Sequence, residues 1–214
     1  MKKVVIFDWG GIVESHENNM EDLLNARIRT VKRFNFSLSN QEALDRWTNL
    51  TPRGKNAGTI NDSREIKEWL DLIERNLNIN VPHEELIKAY EEEGRNIKYY
   101  KNVVNFAHSL KDRCEIAILS NLLPLDKKRI NDQYDLSKFN HVYLSFELGL
   151  RKPDPQIYEY VQKDIGTEPE NILFIDDDHE NIVAAQKSGW HTCEAFGYEL
   201  DKIKRSVEEF LRKE

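Results

Sequence analysis

Val4-Val5-Ile6-Phe7-Asp8-Trp9-Gly10-Gly11 is the stretch that sets the fold. Its first four residues are apolar and mostly β-branched, the signature of a strand buried on both faces of a parallel sheet. The run ends in a carboxylate, and two glycines behind a tryptophan imply a tight turn where backbone can approach a ligand. Two later runs end in the same manner. Ile116-Ala117-Ile118-Leu119 leads into Ser120-Asn121, and Asn171-Ile172-Leu173-Phe174-Ile175 leads into Asp176-Asp177-Asp178, with Asn181 one turn beyond. Between them lies Gly149-Leu150-Arg151-Lys152-Pro153. The carboxyl ends of parallel strands share one edge, which is where α/β proteins bind ligands. That edge would gather carboxylates, a hydroxyl and an ammonium, a set suited to a magnesium ion and a phosphate.

Outward from these runs, strands alternate with helices. Helices are expected over residues 103–111, 126–131, 155–163, 180–188 and 200–211, and strands over 115–119, 142–144, 172–175 and 191–195. Such alternation predicts a Rossmann-like, doubly wound parallel sheet covered on both faces. The stretch from about residue 18 to 99 differs, being charged and helical throughout. Met20, Leu23, Leu24, Ile28, Val31 and Phe34 fall at helical spacing, as do Ile66, Leu70, Ile73 and Leu77. Asn40 is a candidate cap for a helix through Trp47, and Pro82 suits the first turn of a helix to Glu93. The expected organisation is therefore an α/β core of residues 1–15 and 100–214 with an inserted helical domain, residues 16–99.

Composition narrows the function classes. The chain has 214 residues, 39% hydrophobic and 32% charged, with a formal net charge of −7. Basic residues are mixed with acids rather than gathered into a stripe, so no nucleic-acid partner is expected. The apolar run after Met1-Lys2-Lys3 is too short for a signal peptide core or a membrane span, so no membrane partner is expected. Cys114 and Cys193 both fall in strand-like runs and read as buried thiols of a reducing compartment, hence a cytoplasmic protein. A monomer or weak homodimer is expected.

Each candidate residue has a chemical and a structural explanation. Asp8 can attack phosphorus as a nucleophile or cap its turn. Ser120 and Asn121 can hold phosphate oxygens or begin a loop. Lys152 can neutralise the repulsion between Asp8 and a phosphate, or stand in solvent. Three successive aspartates repel one another unless a cation offsets them. Asp176 and Asp177 are assigned to metal, and Asp178 to the start of the following helix. Asn181 can hydrogen-bond the carboxylates of that loop.

The order of these pieces resembles the haloacid dehalogenase-like superfamily. Phe7-Asp8 matches its first motif, Leu119-Ser120-Asn121 the second, Lys152 the third, and Ile175-Asp176-Asp177 with Asn181 the fourth. The resemblance implies a C1-type helical cap inserted after the first strand. It also implies Asp8 as nucleophile and magnesium ligand, and Ser120, Asn121, Gly11 and Lys152 around the phosphate. Asp177 would be a direct magnesium ligand, Asp176 a ligand or an outer partner, and Gly10 a ligand through its backbone carbonyl. The substrate would be a small phosphorylated molecule.

One departure matters. Phosphatases of this superfamily usually carry an acid–base aspartate two residues after the nucleophile, where this chain has Gly10. Losing such a group costs about 10²–10⁴-fold in rate. Three explanations compete: a phosphatase whose substrates have good leaving groups, a metal-independent 2-haloacid dehalogenase, or a binding module without turnover. Asp-x-Gly with Leu-Ser-Asn and Leu-Gly-Leu-Arg-Lys-Pro resembles the bacterial glucose-1-phosphate phosphatase subgroup, which favours the first. Glu14 or His16 could supply the missing proton, although a solvated loop residue is the plainer reading of both. Arg53 and Lys55, in a basic loop of the helical insert, are candidate substrate contacts. Trp47 and Trp69 read as packing residues, and His179 as a histidine at a helix start.

Overall fold

The computed structural model describes residues 2–14, 28–29, 31–35, 37–50, 66–94 and 97–212. In chain order the elements are β1 (Val4–Phe7), α1 (Asn40–Leu50), α2 (Ile66–Leu77), α3 (His83–Gly94), α4 (Lys101–Ser109), β2 (Glu115–Ser120), α5 (Pro124–Asn131), β3 (His141–Leu144), α6 (Ser145–Leu148), α7 (Pro155–Ile165), β4 (Ile172–Asp176), α8 (His179–Lys187), β5 (His191–Glu194) and α9 (Leu200–Arg212). Among the described residues no helix is long and apolar enough to cross a membrane.

The five strands form one parallel sheet in the order β3-β2-β1-β4-β5. β1 is central because the chain first winds outward through β2 and β3, then returns to place β4 on its other side. That reversal is the switch point where a doubly wound sheet opens a crevice beyond its strand ends. All four residues of β1 are buried, which explains its uninterrupted apolar sequence. On one face Val4, Ile6, Ala117, Leu119, Ile172 and Phe174 pack with Ile157, Tyr158 and Val161 of α7. The intervening side chains point to the opposite face. α9 buries Ile203, Val207 and Phe210, a stripe at helical spacing.

Register brings the strand ends level. Phe7 lies opposite Ile118 of β2 and Ile175 of β4. Asp8 and Asp176 are thus each the next residue past a paired position, and Ser120 is two past Ile118. The Asp8 amide extends the ladder by donating to the Ile175 carbonyl at 2.9 Å.

The chain divides into two units: Met1–Ser15 with Lys98–Asn121 and Tyr134–Glu214, and His16–Ile97 with Leu122–Gln133. The second unit has its own apolar cluster, built on Val31, Leu38, Ala43, Leu70, Ile73 and Leu86 together with Leu123 and Leu125. Leu122–Gln133 lies inside the span expected for the core, yet it groups with the helical unit because these two leucines are buried there. Pro124 begins α5, two residues before the expected start, and the Asp126 carboxylate closes that turn by accepting from the Leu123 amide at 2.9 Å. Cys114 and Cys193 are buried and unpaired, and burial pushes the Cys114 thiol up to about 11.

Candidate active site

Asp8 leaves β1 with its side chain almost wholly buried. Three donors converge on Oδ1: its neighbour's amide, Trp9 N, at 2.6 Å, Ser120 Oγ at 2.7 Å and Lys152 Nζ at 2.9 Å. They fix the rotamer of the carboxylate through one oxygen. The turn behind it is also tied down. The Trp9 carbonyl accepts from the amides of Val13 and Glu14, and the Trp9 indole donates to Glu14 Oε1 at 3.0 Å. Edge-on packing of Tyr134 against the Trp9 ring completes the anchor.

Lys152 is 2% exposed, and its ammonium sits between Asp8 and Asp176, 2.7 Å from Asp176 Oδ2. The Phe174 ring lies 5.2 Å from Nζ. Burial alone would lower the lysine pKa. Asp176 and Asp8 outweigh that effect and hold it above the ordinary lysine range, so the group stays charged. Asn121 holds the lysine's backbone: its Nδ2 donates to the Lys152 carbonyl at 2.8 Å, and its Oδ1 accepts from the Lys152 amide at 3.0 Å.

Asp176 is fully buried at the end of β4. Its Oδ2 accepts from Lys152 and from Asn181 Nδ2 at 3.0 Å, and its Oδ1 from the Asp178 amide at 2.7 Å. Burial raises its pKa to about 6, against the opposing pull of Lys152 and with a further push from Asp8. Asp178 caps α8 by accepting from the Glu180 amide at 2.9 Å, the structural role read from the sequence. Asp8, Asp176 and Asp177 present carboxylate oxygens within 4.8 Å of one another, a set that could hold a metal ion. Gly11 packs directly beneath Asp177, leaving no room for a Cβ, and has φ +72°.

The structure thus brings together Asp8, Ser120, Lys152, Asp176 and Asp177, with Asn181 and Asn121 behind them. Glu14 is buried and engaged with Trp9 rather than solvated. His16, Arg53 and Lys55 lie outside the described residues, as do the side chains of Trp47 and Trp69. His179 is exposed at the first residue of α8, where pairing with Glu194 raises its pKa. Sequence reasoning missed the Trp9–Glu14 pair and the Tyr158 hydroxyl, which donates to the Asn181 carbonyl at 3.0 Å. The one signal for Glu14 was a carboxylate five residues after a tryptophan, at the end of an otherwise apolar turn.

Comparison with known proteins agrees with this geometry. The haloacid dehalogenase-like hydrolase family matches residues 5–195. A sesquiterpene phosphatase, astK of Aspergillus oryzae, is 26% identical over 113 residues, 52% of this chain and 58% of that protein. The D-ribitol-5-phosphate phosphatase of Bacteroides thetaiotaomicron is 37% identical over 65 residues, 30% of this chain and 29% of that protein. The aligned stretches span less than two thirds of either relative. A haloacid dehalogenase family enzyme of Bacteroides thetaiotaomicron, solved with magnesium and inorganic phosphate, superposes with a TM-score of 0.65 at 20% identity, covering 90% of this chain and 93% of that one. With four motifs at the carboxyl edge of the parallel sheet and a match over most of its length, the chain belongs to the haloacid dehalogenase-like hydrolase family.

Proposed function

We propose that the protein is a magnesium-dependent phosphatase that acts on a small phosphorylated metabolite, foremost a sugar phosphate, through an aspartyl-phosphate on Asp8. The observation that carries this reading is the buried Lys152 ammonium held between Asp8 and Asp176, with Asp177 alongside. Lys152 pairs with two of the three clustered carboxylates, and all three offer only hard oxygen donors. That donor set fits magnesium. Asp8, Asp177 and the Gly10 carbonyl would hold the ion, with Asp176 as a further ligand or an outer partner. When bound, it would screen the negative charge of an incoming phosphate.

The side chains divide the remaining work. With Oδ1 held by three donors, Oδ2 of Asp8 attacks phosphorus. The bond from phosphorus to the ester oxygen breaks, and its electron pair leaves on that oxygen. Lys152 holds the phosphate oxygens, joined by the Ser120 hydroxyl as it turns from Asp8 Oδ1 toward them, with Gly11 backbone beside them. Water then cleaves the acyl phosphate, releasing phosphate and restoring Asp8. Gly10 has no proton to give, so esters whose oxygen leaves readily, such as a sugar anomeric phosphate, should react fastest.

Chain order supports a cap role for the helical unit, which is inserted between β1 and α4. Arg53 and Lys55 are proposed as its substrate contacts. The two buried thiols support a cytoplasmic location, and we expect a monomer or weak dimer. The ribitol-phosphate relative favours this reading over a metal-free dehalogenase. A metal ion would offset the repulsion between an anionic substrate and the clustered Asp8, Asp176 and Asp177 carboxylates, an offset that a metal-free site forgoes.

The test is phosphate release from a panel of sugar 1-phosphates, sugar 6-phosphates and an aryl phosphate, with magnesium and with chelator, alongside Asp8→Asn. Magnesium-dependent release that disappears in Asp8→Asn is expected, with 1-phosphates ahead of 6-phosphates. Chelator-insensitive halide release from haloacids, or a folded protein that binds magnesium and phosphate without turnover, would overturn the reading.

A further inference from the structure

We propose that Asn121 is a positioning residue for Lys152 rather than a ligand of the phosphate, an inference that rests on the phosphatase reading of Lys152. The Asn121 amide has the shape of a peptide group, and it pairs with the Lys152 backbone as a neighbouring strand would. It donates to the Lys152 carbonyl at 2.8 Å and accepts from the Lys152 amide at 3.0 Å. These bonds cross 31 positions of sequence and tie the lysine loop to the end of β2.

Two further backbone bonds of this loop are local. The Gly149 amide donates to Ser145, and the Asp154 amide to Arg151. Asp154 caps α7 by accepting from the Gln156 amide at 3.0 Å. None of these fixes the loop against the sheet. The Lys152 ammonium does reach the sheet, through Asp8 and Asp176. Those contacts must be redrawn when a phosphate arrives and Asp8 becomes esterified. Leu150 packs on the apolar cluster of the sheet, a non-directional hold that leaves the Lys152 backbone still to be oriented. The Asn121 amide supplies an anchor that the chemistry does not touch, so the buried ammonium keeps its place while its anionic partners change. Such pre-orientation is worth more than an added contact, because small misplacements of a charged group are costly in rate.

The test uses Asn121→Ala, the near-isosteric Asn121→Asp, Lys152→Ala and the double variant Asn121→Ala/Lys152→Ala. Folding is checked by circular dichroism. The first readout needs no catalysis: the rate at which an N-hydroxysuccinimide ester labels Lys152 in the magnesium-loaded protein, followed by mass spectrometry. Two lost hydrogen bonds should speed labelling about tenfold or more in Asn121→Ala. Asn121→Asp keeps the acceptor but turns a carboxylate oxygen toward the Lys152 carbonyl, so it too should label faster than wild type. The second readout is kcat/KM together with the affinity for inorganic phosphate. Asn121→Ala should cost nothing further once Lys152 is gone, to within about twofold. Unchanged labelling, or a loss that adds in full to that of Lys152→Ala, would overturn the proposal and make Asn121 a direct substrate contact. If the wild-type protein releases no phosphate from any substrate, the phosphatase reading fails, while labelling and phosphate binding still decide the clamp.

Discussion

At Gly11 two requirements meet in one residue. The backbone sits at φ +72°, a region that costs an L side chain about 1–2 kcal/mol. A Cβ there would also overlap the Asp177 carboxylate. Gly166 shares the first requirement without the second, since its φ is +70° and nothing lies within 4 Å of a Cβ built on it. The pair therefore separates strain from contact. Gly166→Ala should lose about 1–2 kcal/mol in urea unfolding, and Gly11→Ala more, because the overlap adds to the strain. Only Gly11→Ala should also weaken magnesium binding, by roughly tenfold or more, as read by calorimetry, because it displaces Asp177. The same ion should stabilise the wild-type fold by mass action, about 2.7 kcal/mol at a hundred times its dissociation constant. That gain should vanish in Asp177→Asn. These residues were legible in the sequence because each follows a recognisable apolar run. The use of the Asn121 amide was not legible, since the same side chain can meet a ligand or a backbone and the sequence does not distinguish them.

Among the elements, the strands were the most readable, because uninterrupted Val, Ile and Leu with no room for a polar face leave a parallel sheet as the natural solution. The observed strands end one residue later than expected at Ser120 and Asp176, so both site residues belong to the strands themselves. α6 was not anticipated, being a single turn ended by Gly149 in the left-handed region at φ 66°. α4 also hides a titrating group. His108 packs against Phe139, and its Nε2 is buried without a hydrogen-bond partner among the described residues. Burial, with Lys111 and Lys138 nearby and Asp135 opposing them, lowers its pKa from 6.5. The unfolded chain therefore takes up this proton first as pH falls. Stability contributed by neutral His108 is present above pH 6.5 and is lost as pH falls through the folded pKa. The melting temperature of the wild-type protein should thus drop more as pH falls below 6.5 than that of His108→Phe, which keeps the ring packing and removes the titration. Parallel acid limbs in the two melting curves would refute that assignment.

For the whole molecule, the instructive segment is Leu122–Gln133. Its short, highly charged helix carries too few apolar positions for periodicity to say which unit it joins. Only Leu123 and Leu125, buried with Leu70, Ile73 and Leu86, reveal the answer. The apolar cluster of the helical unit shares no residue with the cluster on the sheet. All residues of the carboxylate set, and the Lys152 between them, belong to the sheet unit. Stability of the helical unit and magnesium affinity should therefore be separable. Leu86, 5% exposed, is a suitable probe, since truncating a buried leucine costs about 2–5 kcal/mol through lost burial and the cavity left behind. Leu86→Ala should lower the unfolding free energy by that amount while leaving the magnesium dissociation constant within about twofold of wild type, because among the described residues the Leu86 cluster and the carboxylate set have no member in common. A tenfold weaker magnesium affinity in folded Leu86→Ala would mean that the helical unit helps to shape the metal site.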